Sequence, residues 1–106
     1  MIAFEHRQYQ SVAGSSTVTV DFTPADGQVI NLSEIGASAA DESSSRSELL
    51  WDATGTPEII VSTVREVVQR TNKQIIGNGS KILRIKLINN GLTSKTLGAY
   101  ALGEYA

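Results

Sequence analysis

Cysteine does not occur in this chain, and histidine occurs once, as His6. The lack of cysteine excludes disulfides, thiolate metal sites and a cysteine nucleophile, and a single histidine excludes metal sites built from two. A Ser-His-Asp triad would have to use His6, yet no serine lies in the G-x-S-x-G pattern of a nucleophile elbow. Carboxylates near strand ends, such as Asp21 and Asp52, leave calcium as a minor alternative. We therefore expect no enzyme activity, no cofactor and no metal.

Charge of one sign is not concentrated anywhere along the sequence. Nine basic residues stand against eleven acidic ones, giving a formal net charge of −2. Binding to phosphates requires clustered lysine and arginine, so we expect no nucleic-acid partner. No apolar run approaches the length of a membrane span, and residues 1–10 (MIAFEHRQYQ) mix charges into what would have to be the apolar core of a signal peptide. We expect the protein to be made in a cytoplasm. We do not expect it to associate with a membrane.

The length and composition are those of one globular domain, residues 1–106. Hydrophobic residues make up 41% of the chain and aromatic residues only 6%. A chain of this size buries roughly two-thirds of its surface on folding and can be stable alone. Because aromatics are scarce, we expect a mainly aliphatic core.

The clearest pattern lies in residues 79–105, where apolar and polar side chains alternate. Leu83, Ile85 and Leu87 share one face and Arg84 and Lys86 the other. Such alternation is typical of a half-buried strand. Asn90-Gly91 supplies turn chemistry between two apolar runs, which predicts a terminal β-hairpin, and the glycines in residues 77–79 predict a further hairpin turn with positive φ.

Other segments repeat this pattern between turn signals. The valines in residues 63–70 favour a strand or irregular structure. One helical turn is the alternative for this segment, because Thr63 and Glu66 have the spacing of a capping box. The remaining predicted strands cover residues 2–12, 17–22, 28–35, 47–53, 58–62 and 73–76, with 36–40 either continuing a strand or bending away. About eight short strands predict an all-β fold: a single antiparallel β-sandwich of jelly-roll or related Greek-key topology.

The N-terminal segment is the candidate interface. Residues 1–10 form either a first strand or an arm that reaches a neighbouring subunit. Phe4 and Tyr9 are its exposed-aromatic candidates and Arg7 its charged one, since interfaces favour these residue types. We expect Trp51 to lie in the core, with a sugar-stacking platform as the minority alternative.

Two stretches carry a resemblance to a known class of protein: ELLWDATGTPEIIVS at residues 48–62 and GNGSKILRIKLINNGLTSKTLGAYALGEYA at residues 77–106. Together they resemble small β-sandwich virion proteins of tailed bacteriophages, of the capsid-decoration or head/tail-fibre type. The resemblance implies a capsid decoration (cement) protein located in the virion. Its partner would be the major capsid protein or another virion protein, which it would bind as a homo-oligomer, with a trimer favoured.

One rival function comes from a different class of protein. A carbohydrate-binding or receptor-binding module can use the same sandwich, but it needs two or more coplanar exposed rings, and the sequence offers at most one convincing candidate. If residues 1–10 are an arm, their deletion leaves a folded domain that no longer assembles.

Overall fold

The chain folds as nine β-strands in the part that the structure describes. The structure is a computed structural model and describes residues 2–39, 44–52, 59–63 (backbone only) and 65–106. These residues contain no helix, and so none that is long and apolar enough to cross a bilayer. The strands are β1 (Ile2–Val12), β2 (Ser16–Phe22), β3 (Val29–Ser38), β4 (Ser45–Trp51), β5 (Ile59–Thr63), β6 (Glu66–Arg70), β7 (Gln74–Ile76), β8 (Leu83–Asn89) and β9 (Lys95–Tyr105).

The strands form two antiparallel sheets with jelly-roll connections. One sheet has the order β1-β9-β3-β6, with the short β7 also paired to β3, and the other has the order β2-β8-β4-β5. The first strand thus pairs with the last, the second with the next to last, and the fourth with the fifth. This nested pairing is that of a jelly roll, in which the chain wraps as one long antiparallel hairpin. The predicted all-β sandwich is confirmed.

The core lies between the sheets and is mainly aliphatic, as expected. Leu83, Ile85 and Leu87 are fully buried, which confirms the face that their alternation predicted. Trp51 is 1% exposed and therefore a core residue, so it offers no platform for a sugar. The buried hydrophobic residues are Phe4, Val12, Ile30, Leu32, Ile35, Ala37, Leu49, Trp51, Ile75, Leu83, Ile85, Leu87, Leu97, Ala99 and Ala101.

The predicted terminal hairpin is wrong, because β8 and β9 belong to different sheets. Residues 90–94 cross from one sheet to the other. The buried Asn89 side chain holds this crossing: its amide donates to the carbonyls of Val12 and Thr93, each at 2.9 Å, and its oxygen accepts the Gly91 N–H at 2.9 Å. Alternation shows that a strand has a buried face, but it does not select the neighbouring strand.

The same correction applies at residues 77–79. Gly79 has φ of 83°, so the predicted positive φ is present. However, β7 and β8 also lie in different sheets, and the chain between them crosses the sandwich instead of closing a hairpin.

The predictions for two other segments can be compared with the structure. Strand β3 continues to Ser38, and the strand interpretation of residues 66–70 is confirmed by β6. Val64, the turn at 54–57 and residues 41–43 of the polar loop lie outside the described residues.

A β-bulge in β3 changes which side chains face outward. Ile30 and Leu32 point into the core, but the next inward residues are Ile35 and Ala37, not residue 34. The register with β9 shifts between Leu32 and Glu34. An extra residue in one strand re-aims the side chains that follow it, so Glu34 lies on the outer face of the five-stranded sheet.

The N-terminal segment is a strand of this sheet and not an arm. Residues 2–12 pair with β9 without a break in register, and both Phe4 and Val12 are buried. Deleting residues 1–10 would therefore uncover β9 and remove part of the core. The expectation that this deletion leaves a folded domain does not fit the structure, and point substitutions have to replace it as a test.

Candidate interaction surface

Two of the three predicted interface residues lie on the outer face of β1, and the third does not. Arg7 and Tyr9 point outward, with Tyr9 46% exposed. Phe4 is 3% exposed and packs against the rings of Phe22 and Tyr105, at centroid distances of 5.3 and 5.5 Å. Its prediction as an exposed aromatic is wrong, because side chains alternate along a strand and residue 4 has the opposite parity to residues 7 and 9.

The structure adds Tyr100 and Glu34 to Arg7 and Tyr9. Arg7 lies opposite Tyr100 across the β1–β9 pair, and its Cζ is 5.2 Å from the centroid of that ring, within cation–π range. The Tyr100 hydroxyl donates to Glu34 Oε2 at 2.8 Å. We call these four residues, Arg7, Tyr9, Glu34 and Tyr100, the aromatic patch.

Two glycines allow both tyrosine rings to lie over the neighbouring strand. Gly98 is opposite Tyr9, and Gly36 is opposite Tyr100. A Cβ added to either glycine would overlap the ring above it. Aromatic side chains that cover glycines on adjacent strands help to hold strand register. The rings are thus seated on the sheet, which limits the conformational entropy that a partner would have to remove on binding.

The electrostatics of the patch depend on Tyr100 remaining neutral. Partial burial, with help from the Glu34 carboxylate that accepts its hydrogen bond, raises the pKa of Tyr100 to about 12, against an opposing effect of Arg7. The phenol therefore stays protonated, and keeps donating to Glu34, at a higher pH than an ordinary tyrosine would. Arg7 supplies the positive charge of the patch and also contacts Glu5 at 3.9 Å.

The patch continues across the sheet along one row of paired residues. Register places Arg7, Tyr100, Gly36 and Val68 in one row over β1, β9, β3 and β6, and Val68 is 55% exposed. Tyrosine and arginine are enriched at protein interfaces relative to the rest of the surface. The sequence alone does not show that these residues lie next to one another across the strands. It does contain a signal of the bulge that exposes Glu34, because the apolar residues at 30, 32, 35 and 37 break the regular alternation of a strand.

Other parts of the described chain offer less chemistry. Two open clefts of about 560 and 460 Å³ include no residue of the patch. Among the described residues, no three Asp, Glu, His or Cys side chains cluster to hold a metal ion. Asp21, one of the carboxylates weighed for calcium, accepts two hydrogen bonds from Arg84, at 2.8 and 2.9 Å.

His6 links the two sheets at one side of the sandwich. Its Nε2 lies 3.1 Å from the carbonyl oxygen of Val20 on β2, and its ring is 6.1 Å from that of Phe22. Burial lowers the pKa of His6, which favours the neutral ring. The geometry assigns this histidine a role in packing β1 over β2.

Tyr100 and Tyr105 lie on opposite faces of β9, because they are an odd number of residues apart on one strand. Tyr105 packs against the core, whereas Tyr100 is on the outer face beside Tyr9.

Comparison of the chain with protein-family models and with curated protein sequences gives no match. Its function therefore has to be inferred from the fold and from the chemistry of this surface.

Proposed function

We propose that this chain is a structural virion protein, a capsid decoration protein that binds the phage head as a symmetric oligomer and stabilises it. The observation that carries the proposal is the aromatic patch, in which Arg7 and two tyrosine rings seated over glycines lie together on the outer face of the five-stranded sheet. The jelly roll is compatible with this role, since viral capsid domains use it, but lectins and cupins use it as well. The argument therefore depends on the surface and not on the fold.

The chemistry of the patch suits a protein partner. Tyrosine and arginine contribute much of the binding energy at interfaces, particularly where their side chains are held in place before binding. Arg7 is oriented by Tyr100 and Glu5, and Tyr100 by Glu34. Repeated use of one such patch in a closed oligomer lets modest contacts add up along a shell. The trimer favoured by the resemblance has no support in the residues that the structure describes, which show no feature that selects three copies.

The test uses empty phage shells assembled from the major capsid protein, the partner that the proposal names. Arg7→Ala should weaken co-sedimentation with the shells by about tenfold or more, as expected for a residue central to an interface. The chain offers a matched control in Arg46, on the outer face of the other sheet. Its side chain is 53% exposed, against 47% for Arg7, and it too contacts a glutamate two residues away, Glu48 at 3.7 Å.

Arg46→Ala should leave shell binding unchanged. Equal losses for the two variants would indicate a general charge effect, and no loss for either would remove the patch from the proposal. A wild-type chain that does not bind the shells at all would refute the proposed function.

A carbohydrate-binding module is the second candidate, because Tyr9 and Tyr100 provide two outward rings on neighbouring strands. Against it, the Arg7 guanidinium is positioned over the Tyr100 ring, where a sugar would have to stack. Arg7→Ala distinguishes the two functions by the sign of its effect. It should uncover the ring and strengthen binding on a glycan array if the ligand is a sugar, whereas it weakens binding if the ligand is a protein.

A further inference from the structure

Strand β1 is a long free edge of the five-stranded sheet. It stands at the end of the strand order, pairs only with β9 among the described strands, and keeps one register over all 11 residues. It contains no proline, glycine or lysine and no bulge. Proteins usually protect an edge with such features, because its outward N–H and C=O groups are a template for another strand.

The other edges are short or partly blocked. β5 and β6 have five residues each and β7 has three. On β2, the carbonyl oxygen of Val20 is already within hydrogen-bonding distance of the His6 ring. Among the described strands, β1 thus offers the longest run of unprotected backbone.

We infer that β1 pairs antiparallel with β1 of a second copy of this chain, about a twofold axis at His6. In this register Glu5 lies opposite the partner's Arg7, and Arg7 opposite the partner's Glu5. Both pairs lie on the outer face, where these two side chains are exposed. A second copy is the occupant because the charge pattern of the strand is complementary to itself.

Other registers that keep the buried faces aligned satisfy the charges less well. An axis at Arg7 sets two arginines opposite each other, and an axis at Glu5 sets two glutamates opposite each other, both unfavourable arrangements for cross-strand pairs. An axis at Gln8 places Arg7 opposite Tyr9 and Glu5 opposite Ser11, so it forms no ion pair. A shift by one residue would turn core side chains outward.

The pairing would join two five-stranded sheets into one. Because the axis is perpendicular to the sheet, the aromatic patches of both copies face the same side. The pairing itself does not depend on the proposed function. Its consequence, a surface that binds through two equivalent patches, rests on that function.

Charge reversal tests the pairing on the full chain. By light scattering, the wild type should have twice the monomer mass of 11.3 kDa. Glu5→Arg alone and Arg7→Glu alone should each raise the dissociation constant at least tenfold. A mixture of the two variants should recover the dimer, because each then meets the opposite charge. Circular dichroism and urea unfolding establish that each variant is folded.

Two measurements complete the test. Arg46→Glu, on the other sheet, should leave the mass unchanged. Because the chain has no cysteine, Ala3→Cys carries a single spin label. With the axis at His6, residue 3 lies opposite the partner's residue 9, so the labels are six residues or about 20 Å apart along the strand, against about 27 Å with the axis at Arg7.

A wild-type monomer, a trimer, a mixture that does not recover the dimer, or a label distance of another register would each overturn the inference. The outcome is separable from that of the proposed function when both are measured on the wild-type chain, because Arg7 belongs both to the patch and to the proposed pairing. A dimer that ignores capsid shells refutes only the function, and a monomer that binds them refutes only the pairing.

Discussion

Replacing Asn89 by alanine should destabilise the protein more than an ordinary polar substitution. The side chain is fully buried and makes three hydrogen bonds, to Val12, Thr93 and Gly91, where the chain crosses between the sheets. Each bond contributes about 1 kcal/mol net, and a buried carbonyl left without a donor costs about 1–3 kcal/mol. We expect a loss of about 3–5 kcal/mol, a large part of the stability of a small domain.

Urea unfolding measures this loss. With a slope of about 1.5 kcal/mol per molar urea, the midpoint should fall by about 2–3 M. Asn31→Ala is the matched control, because Asn31 is exposed and accepts a single hydrogen bond from Gln74 at 2.9 Å. Its effect should stay within about 0.5 kcal/mol. Similar losses for the two variants, or a loss below about 1 kcal/mol for Asn89→Ala, would refute the role of Asn89 in holding the crossing.

Asn89→Asp separates hydrogen bonding from side-chain volume. The carboxylate can still accept the Gly91 N–H, but it faces the carbonyls of Val12 and Thr93 without a proton to donate. Burial beside two acceptors should raise the pKa of this aspartate above its unfolded value. The variant should therefore gain stability relative to the wild type as the pH falls, and a difference that does not change with pH would count against this explanation.

Three further predictions concern β1 and the aromatic patch. Gly98→Ala should cost about 1–2 kcal/mol in urea unfolding, and less in a Tyr9→Ala background, since the added methyl meets the Tyr9 ring. Burial lowers the pKa of His6, so the unfolded chain binds its proton first, and stability should fall from pH 7 to 5; His6→Gln should reduce that slope. In a tyrosine titration followed by NMR, the step near pH 12 should vanish in Tyr100→Phe.

The function proposed for the patch depends on its rigidity as much as on its composition. Gly36 and Gly98 lie beneath the two rings, and the Tyr100 hydroxyl is held by Glu34. A partner would meet side chains that are already ordered, which lowers the entropic cost of binding. Arg7 and Tyr9 are suitable positions for substitutions that test binding, because a change at either one alters the surface while the core residues stay in place.

Alternation along the chain determined the fold class and much of the core. The burial of Leu83, Ile85 and Leu87, and of Leu49 with Trp51, follows from side chains pointing alternately to the two faces of a strand. The positions of turns also depend on the local sequence, and the positive φ predicted within residues 77–79 is present at Gly79. These features depend on residues that are close in sequence, so the sequence alone was enough to predict them.

Only the tertiary structure decided which strands are neighbours. The pairing of β9 with β1 and β3, instead of β8, is set by how the two sheets pack, and no single strand encodes that choice. The patch depends on it, because Arg7 and Tyr100 are far apart in sequence and meet across β1 and β9, and Glu34 joins them through a bulge. A surface assembled from three separate strands is a property of the pairing, and pairing is settled by the packing of the whole core.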